Sequence, residues 1–145
     1  GTYMPAPIWN DTLQDRVMKE IIEPTVKAMQ SRGAPYRGVF FAGLMITKQG
    51  PKLIEYNIRF GDPETQVLML SLESDLAELM LACVDGTIAN KKVIMSQETA
   101  LCVVMAAKGY PGDYEKNTVI KNLDAAKKLA TIFHAGTAYK NGDLV

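Results

Sequence analysis

Two apolar runs around one short turn constrain this chain more than any other feature. Gly38 to Thr47 and Lys52 to Phe60 are rich in Val, Phe, Ile and Leu, and only Lys48-Gln49-Gly50-Pro51 separates them. β-type runs on either side of a Gly-containing turn predict an antiparallel hairpin. A membrane span is excluded for the same stretch. Gly38 to Thr47, the longest uncharged apolar run, is about half the roughly 18–20 residues that a bilayer-spanning helix needs.

Helical patterns flank the hairpin. Asn10 or Asp11 caps a segment in which Leu13, Val17, Ile21 and Ile22 recur at helical spacing, continued by Val26 and Met29 and closed by Gly33. Pro24 falls inside the pattern; it lacks an N–H and crowds the preceding turn, so a kink or a split into two helices is expected. After the hairpin, Asp62-Pro63-Glu64 reads as a helix start, with Asp as cap, Pro at the first helical position and Glu at the positive end of the dipole. Gln66 to Leu72 continues it, and Asp75 to Val84 is a second amphipathic helix ended by Gly86. Residues 1–10, with Pro5 and Pro7, read as an extended loop packed on something. Composition shifts near Lys91–Gln97. Beyond it, Ala100 to Ala107, Thr118 to Ile120 and Thr131 to Tyr139 read as strands, and Leu123 to Leu129 as a helical turn. The expected fold class is α+β, with a helix-and-hairpin domain over 1–95 and a β-rich domain over 96–145.

Composition narrows the partners. Sixteen Lys and Arg balance sixteen Asp and Glu, so the chain has no cationic surplus with which to displace counterions from nucleic acid or an anionic membrane. Hydrophobic residues at 48% and charged residues at 22% belong to a globular chain and not a disordered one. Cys83 and Cys102 stand alone, and no secretory signal opens the chain, so reduced thiols in a cytoplasmic protein are expected.

The chemistry concentrates in Leu53-Ile54-Glu55-Tyr56-Asn57-Ile58-Arg59-Phe60-Gly61-Asp62-Pro63-Glu64. Side chains of a strand alternate faces. Unbroken alternation puts Leu53, Glu55, Asn57 and Arg59 on one face and Ile54, Tyr56 and Ile58 on a core face. A carboxylate and an amide carbonyl two residues apart are hard oxygen ligands able to share one Mg²⁺, and Arg59 can fork onto a carboxylate or phosphate. The same spacing also suits a solvated sheet face with an Arg–Glu cross-pair. His134, the only histidine, follows Ile132 and Phe133 with no partner motif and reads as structural. Cys83 and Cys102 read as small core residues. Leu44 and Leu53 suit either ordinary packing or a place beneath an adenine ring.

The segments YMPAP, IIEPTV, FAGLMI, LIEYNIRFGDPETQ, SDLAELMLA, VVMAAKGYPGDY and FHAGT together resemble phosphoribosylamine–glycine ligase (glycinamide ribonucleotide synthetase), an ATP-grasp family of purine biosynthesis. The resemblance runs over nearly the whole chain, and RFGDPETQ is its most specific block. It implies the second lobe of an ATP-grasp domain followed by the start of a small C-terminal domain. It also implies an ATP-dependent ligase that activates glycine as an acyl phosphate, which the amine of 5-phosphoribosylamine then attacks. By the resemblance, Glu55 and Asn57 match the family's Mg²⁺ (or Mn²⁺) ligands, and Arg59 and Asp62 match its substrate-side loop. The strand beside the metal strand often adds an acid in ATP-grasp proteins; Gly38 to Thr47 has none, so only two protein ligands are expected. The implied partners are glycine, 5-phosphoribosylamine and the N-terminal parts of a longer parent chain. Another ATP-grasp ligase or carboxylase, and a non-catalytic interaction domain, are the competing readings. The sequence starts without Met, and only Asp143, Leu144 and Val145 follow the Asn141-Gly142 turn, too few, it is expected, to pair back across it.

Overall fold

In the computed structural model, which describes all 145 residues, the central hairpin forms from β2 (Phe41–Thr47) and β3 (Gly50–Asn57), paired antiparallel with Phe41 opposite Asn57 and Thr47 opposite Gly50. The ladder is not regular. Gly43 faces Glu55 but Leu44 faces Leu53, so Ile54 is an extra residue and β3 carries a bulge. One inserted residue reverses the alternation of faces along its strand. Leu53 and Tyr56, three apart, consequently line one groove against the long helix. This corrects the expected grouping of Leu53 with Glu55 and Asn57. The expected core face of Ile54, Tyr56 and Ile58 also fails, at Ile54 through the bulge and at Ile58 because the strand ends at Asn57. Ile54 is 64% exposed, and Ile58, beyond the end of β3, is 76% exposed; Tyr56 alone is half-buried.

The helix behind the hairpin absorbs its proline without breaking. α1 (Asp11–Val17), a π-helical turn over Met18–Ile22 and α2 (Glu23–Ser31) keep right-handed helical backbone at both junctions. Asn10 caps α1, its side chain accepting from the Leu13 N–H at 2.9 Å. The helix does not stop at Pro24; the turn before it widens, and the Glu23 N–H donates to the carbonyl of Met18, five residues back. Pro24 stands in the first turn of α2, directly after that widened turn, and supplies no N–H to the helix. The Thr25 hydroxyl donates to the Ile21 carbonyl at 2.8 Å and accepts from the Tyr56 phenol at 2.6 Å. Tyr56 also stacks on Phe40, ring centroids 4.6 Å apart, and Phe40 meets Tyr36 at 5.1 Å. These contacts lock β3 to the helix.

Arg16 ties α1 to the hairpin turn. Its guanidinium forks onto Glu20 at 2.7 and 3.2 Å and donates to the Gln49 carbonyl at 3.2 Å. The same hydrogen bond, aided by its charge, holds the Glu20 carboxyl below the usual carboxylate range. Gly50, at φ +113°, lies directly beneath that guanidinium, leaving no room for a Cβ.

α3 (Glu64–Ser71) and α4 (Leu76–Asp85) follow. Asp75 caps α4 through the Glu78 N–H at 3.0 Å, and Gly86 ends it at φ 74°. The expected start of α3 is corrected. Pro63 is its cap residue, not its first helical residue, and Asp62 caps no N–H. The Gly61 carbonyl instead takes the Thr65 N–H at 2.9 Å and the Thr65 hydroxyl, which leaves the Asp62 carboxylate to accept from the Gln66 side-chain amide at 2.8 Å. The opening residues are also not simply a loop. β1 (Thr2–Met4) pairs antiparallel with β4 (Ala100–Cys102), and β4 stops well short of Ala107. That pairing joins Ala100–Cys102 to the first of two compact units, Gly1–Val103, whereas composition groups it with the C-terminal segment. Leu13, Val17, Val67 and Ala82 are the buried hydrophobic residues of this unit. Cys83 and Cys102 are free and half-buried.

The second unit, Val104–Val145, contains α5 (Leu123–Lys127) and a hairpin of β5 (Tyr139–Lys140) with β6 (Asp143–Leu144). Asn141 and Gly142, at φ 51° and 90°, make the two-residue turn. The three residues after it do pair back, contrary to expectation. Leu144 faces Tyr139, and Val145 exchanges two 2.8 Å backbone bonds with Ala138. Thr118–Ile120 and Thr131–Ala138 form no strand; Ile120 contributes a single bond, to the Leu144 carbonyl. His134 meets the Thr137 hydroxyl at 3.2 Å, a local contact. No helix is long and apolar enough to cross a membrane.

Removing the Thr25 hydroxyl tests the helix–hairpin lock. Thr25→Val leaves the Tyr56 phenol only its longer bond to the Ile21 carbonyl, 3.4 Å, and should lower unfolding stability by about 1 kcal/mol in denaturant titration. Combining it with Tyr56→Phe should cost less than the sum of the two single changes; strict additivity would contradict the coupling.

Candidate functional site

Glu55 and Asn57 reach the same side of β3 and touch. The Asn57 amide nitrogen donates to Glu55 Oε1 at 3.0 Å. Glu55 is exposed and Asn57 half-buried, so the carboxylate keeps its hydration while the amide is held against the sheet. Across the ladder, Gly43 stands opposite Glu55, and a Cβ there would lie 3.3 Å from Glu55 Cγ. The missing side chain gives the Glu55 stem its path over the strand. No cation neutralises it: the chain's ion pairs are Arg16–Glu20, Lys19–Asp15, Lys27–Glu23 and Lys91–Glu78. The alternative Arg–Glu cross-pair therefore does not form, and Arg59 donates instead to the adjacent Phe60 carbonyl at 2.9 Å.

The other candidates are dispersed. Arg59 and Asp62 are exposed in the turn between β3 and α3, with local hydrogen bonds and none to Glu55 or Asn57. Leu44 and Leu53 face each other across the ladder beyond the bulge, and Leu53 lines the helix-side groove with Tyr56. The structure does not bring these two leucines together with the Glu55–Asn57 pair. Ile54, which the alternation assigned to the core, is exposed next to Glu55 and does not line the helix-side groove. Gly43 and Ile54 are the two positions that sequence reasoning missed. No local signal announces the bulge.

As a donor set, the pair suits a hard cation. No group of three or more His, Cys, Asp or Glu residues gathers anywhere in the chain. Any ion here takes one carboxylate and one amide oxygen from protein, the sparse protein share typical of Mg²⁺ sites completed by phosphates and water. The Asn57 amide now turns its nitrogen to Glu55, and a half-turn of that amide puts Oδ1 beside the carboxylate.

Two family models match the chain: Phosphoribosylglycinamide synthetase, ATP-grasp (A) domain, over residues 1–65, and Phosphoribosylglycinamide synthetase, C domain, over residues 100–145. A phosphoribosylamine–glycine ligase from Rhizobium meliloti is 57% identical over 145 residues, covering 100% of this chain and 34% of its own. The chain belongs to the phosphoribosylamine–glycine ligase family. The chloroplastic family member of Arabidopsis thaliana is 54% identical over 142 residues, 94% of this chain and 27% of that protein. The human trifunctional purine biosynthetic protein adenosine-3 is 46% identical over the whole chain, which spans 15% of it. A crystal structure of the Thermotoga maritima phosphoribosylamine–glycine ligase superposes with a TM-score of 0.74 at 29% identity, covering 98% of this chain and 34% of that one. The chain thus spans about a third of the length of these bacterial relatives.

The Glu55–Asn57 contact has a direct readout. Glu55→Gln, and Gly43→Val, whose branched side chain displaces the Glu55 stem, should both shift the Asn57 side-chain amide signals in ¹⁵N–¹H spectra. Signals unmoved in both variants would mean that the pair is not formed in solution.

Proposed function

We propose that this chain is the metal-bearing part of an ATP-dependent ligase that joins glycine to 5-phosphoribosylamine in the cytoplasm. Residues 1–95 form the second lobe of its ATP-grasp domain, and residues 96–145 begin its C-terminal domain. Family membership over both segments supports the reading, and the observation that carries it to residues is the uncompensated Glu55–Asn57 pair on one sheet face.

In the proposed reaction a glycine carboxylate oxygen attacks the γ-phosphorus of ATP, and ADP leaves. The nitrogen of phosphoribosylamine then attacks the acyl carbon, loses a proton, and phosphate departs as the C–N bond forms. The protein supplies no nucleophile in this sequence; it positions two anions and offsets the charge that develops. Glu55 and Asn57 would hold Mg²⁺ or Mn²⁺, whose chemistry is to bridge and neutralise phosphate oxygens. Arg59, free to leave the Phe60 carbonyl, offers a planar fork to the carboxylate or phosphate of the substrate. Asp62 lies in the same turn and acts on the substrate side. For the adenine, Leu44 and Leu53, neighbours across the ladder, would offer the apolar surface.

The test uses the full-length protein that contains this chain. Glu55→Gln should reduce phosphate release with glycine, phosphoribosylamine and Mg·ATP by about 100-fold, the upper end of what loss of a ligand's supporting group costs. Raised Mg²⁺ should restore part of it, and the variant should keep wild-type thermal stability. Unchanged turnover would remove Glu55 from the metal site.

A further inference from the structure

We propose that Gln66 is a positioning residue for the Asp62 carboxylate, its amide fixing the direction in which that carboxylate faces at the start of α3. The Gln66 side-chain nitrogen donates to Asp62 Oδ1 at 2.8 Å. The other end of the same amide is left over. Its Oε1 is buried, and no donor in the chain reaches it. A buried acceptor without a partner loses its hydration and gains no bond in return, so its presence in a folded chain needs a cause.

Packing does not supply that cause. An apolar side chain of the same length would fill the half-buried place with no polar atom to satisfy. Starting the helix does not supply it either. The Gly61 carbonyl already accepts the Thr65 N–H at 2.9 Å and the Thr65 hydroxyl, and Asp62 caps no backbone N–H. α3 therefore begins without the Asp62–Gln66 bond. What the bond does is orient. Reversing the amide would set its oxygen against a carboxylate oxygen, so the nitrogen must face Asp62 and Oε1 must take the buried side. The orphaned oxygen is the consequence of aiming the amide nitrogen at Asp62.

The result is a carboxylate held by one oxygen. Asp62 is exposed and joins no ion pair, and its Oδ2 takes no hydrogen bond from the chain. Oδ1 is anchored by a charge-assisted bond. Oδ2 keeps a fixed direction toward whatever enters the turn between β3 and α3. On the ligase reading, on which this role rests, the entrant is a substrate carrying an N–H or O–H donor. A freely rotating carboxylate has to be ordered by each substrate molecule, and an anchored one does not. The gain falls on the substrate and not on ATP.

Gln66→Met keeps the length and the helix preference of the side chain and removes the amide. In the 145-residue chain, the Hα–Hβ couplings of Asp62 should report one χ1 rotamer, and rotamer-averaged values in Gln66→Met. The melting temperature of the variant should be no lower than native, because the buried orphan is gone. In the full-length protein, Gln66→Met should lower kcat/KM for glycine, phosphoribosylamine or both by about tenfold and leave the KM for Mg·ATP unchanged. Added to Asp62→Ala, it should cost nothing further. Couplings that stay unaveraged overturn the proposal. So do native kinetics with a lowered melting temperature, the signature of a role confined to the fold. Additive losses overturn it too, since Gln66 would then act through another group. If Gln66→Met does not fold, Gln66→Glu, whose carboxylate repels Asp62, takes its place with the same couplings and kinetics expected. A full-length protein inactive toward glycine and phosphoribosylamine sinks the ligase reading alone, and the couplings still decide whether Gln66 sets Asp62.

Discussion

An antiparallel ladder with one residue too many on one side must change which face its side chains occupy, and Ile54 is that residue in β3. On the side toward the turn, Leu53 faces the helix. On the other side of the bulge Tyr56 does so, and Glu55 and Asn57 are turned away from it together. The bulge therefore separates two tasks that an unbroken strand would mix. Leu53 and Tyr56 hold the hairpin to its supporting helix, while an oxygen-rich pair stays free on the opposite face.

The supporting helix is shaped to match. Pro24 denies its helix one donor, and the turn before it widens to a π geometry while the backbone stays helical on both sides. The Ile21 carbonyl beside that widening receives the Thr25 hydroxyl, which in turn receives the Tyr56 phenol. The helix beside its irregular turn is thus tied, through Thr25, to the one aromatic residue that the bulged strand directs toward it. Tyr56 is immobilised by a hydrogen bond and by stacking on Phe40, and it lies between Glu55 and Asn57 in sequence. Rigid placement of that residue is what keeps its two neighbours in register with each other.

Much of this was legible in the residues. The hairpin, the Asn10 cap, the Gly86 stop and the tight turn at Asn141-Gly142 all follow from local chemistry, and each forms. The pairing of Glu55 with Asn57 was also legible, because two residues on the same side of the bulge still obey period two. What was not legible depended on distant partners. Nothing near Thr2–Met4 announces that Ala100–Cys102 will pair with it, and nothing near Ile54 says that Leu44 will skip it for Leu53. The start of α3 was misassigned for a related reason. Asp62-Pro63-Glu64 has every local mark of a cap, yet the Gly61 carbonyl supplies the turn's acceptor and leaves Asp62 to Gln66.

The central claim is that the bulge presents Glu55 and Asn57 as one hard-cation site. Paramagnetic broadening by substoichiometric Mn²⁺ in the presence of millimolar ATP tests it most directly on this chain. The account predicts that the Glu55, Asn57, Gly43 and Ile54 signals broaden first, that the Asn57 side-chain amide is among them, and that Glu55→Gln abolishes the effect. Broadening centred on another acidic surface, such as Asp15 or Glu23, or an unchanged pattern in Glu55→Gln, would contradict it.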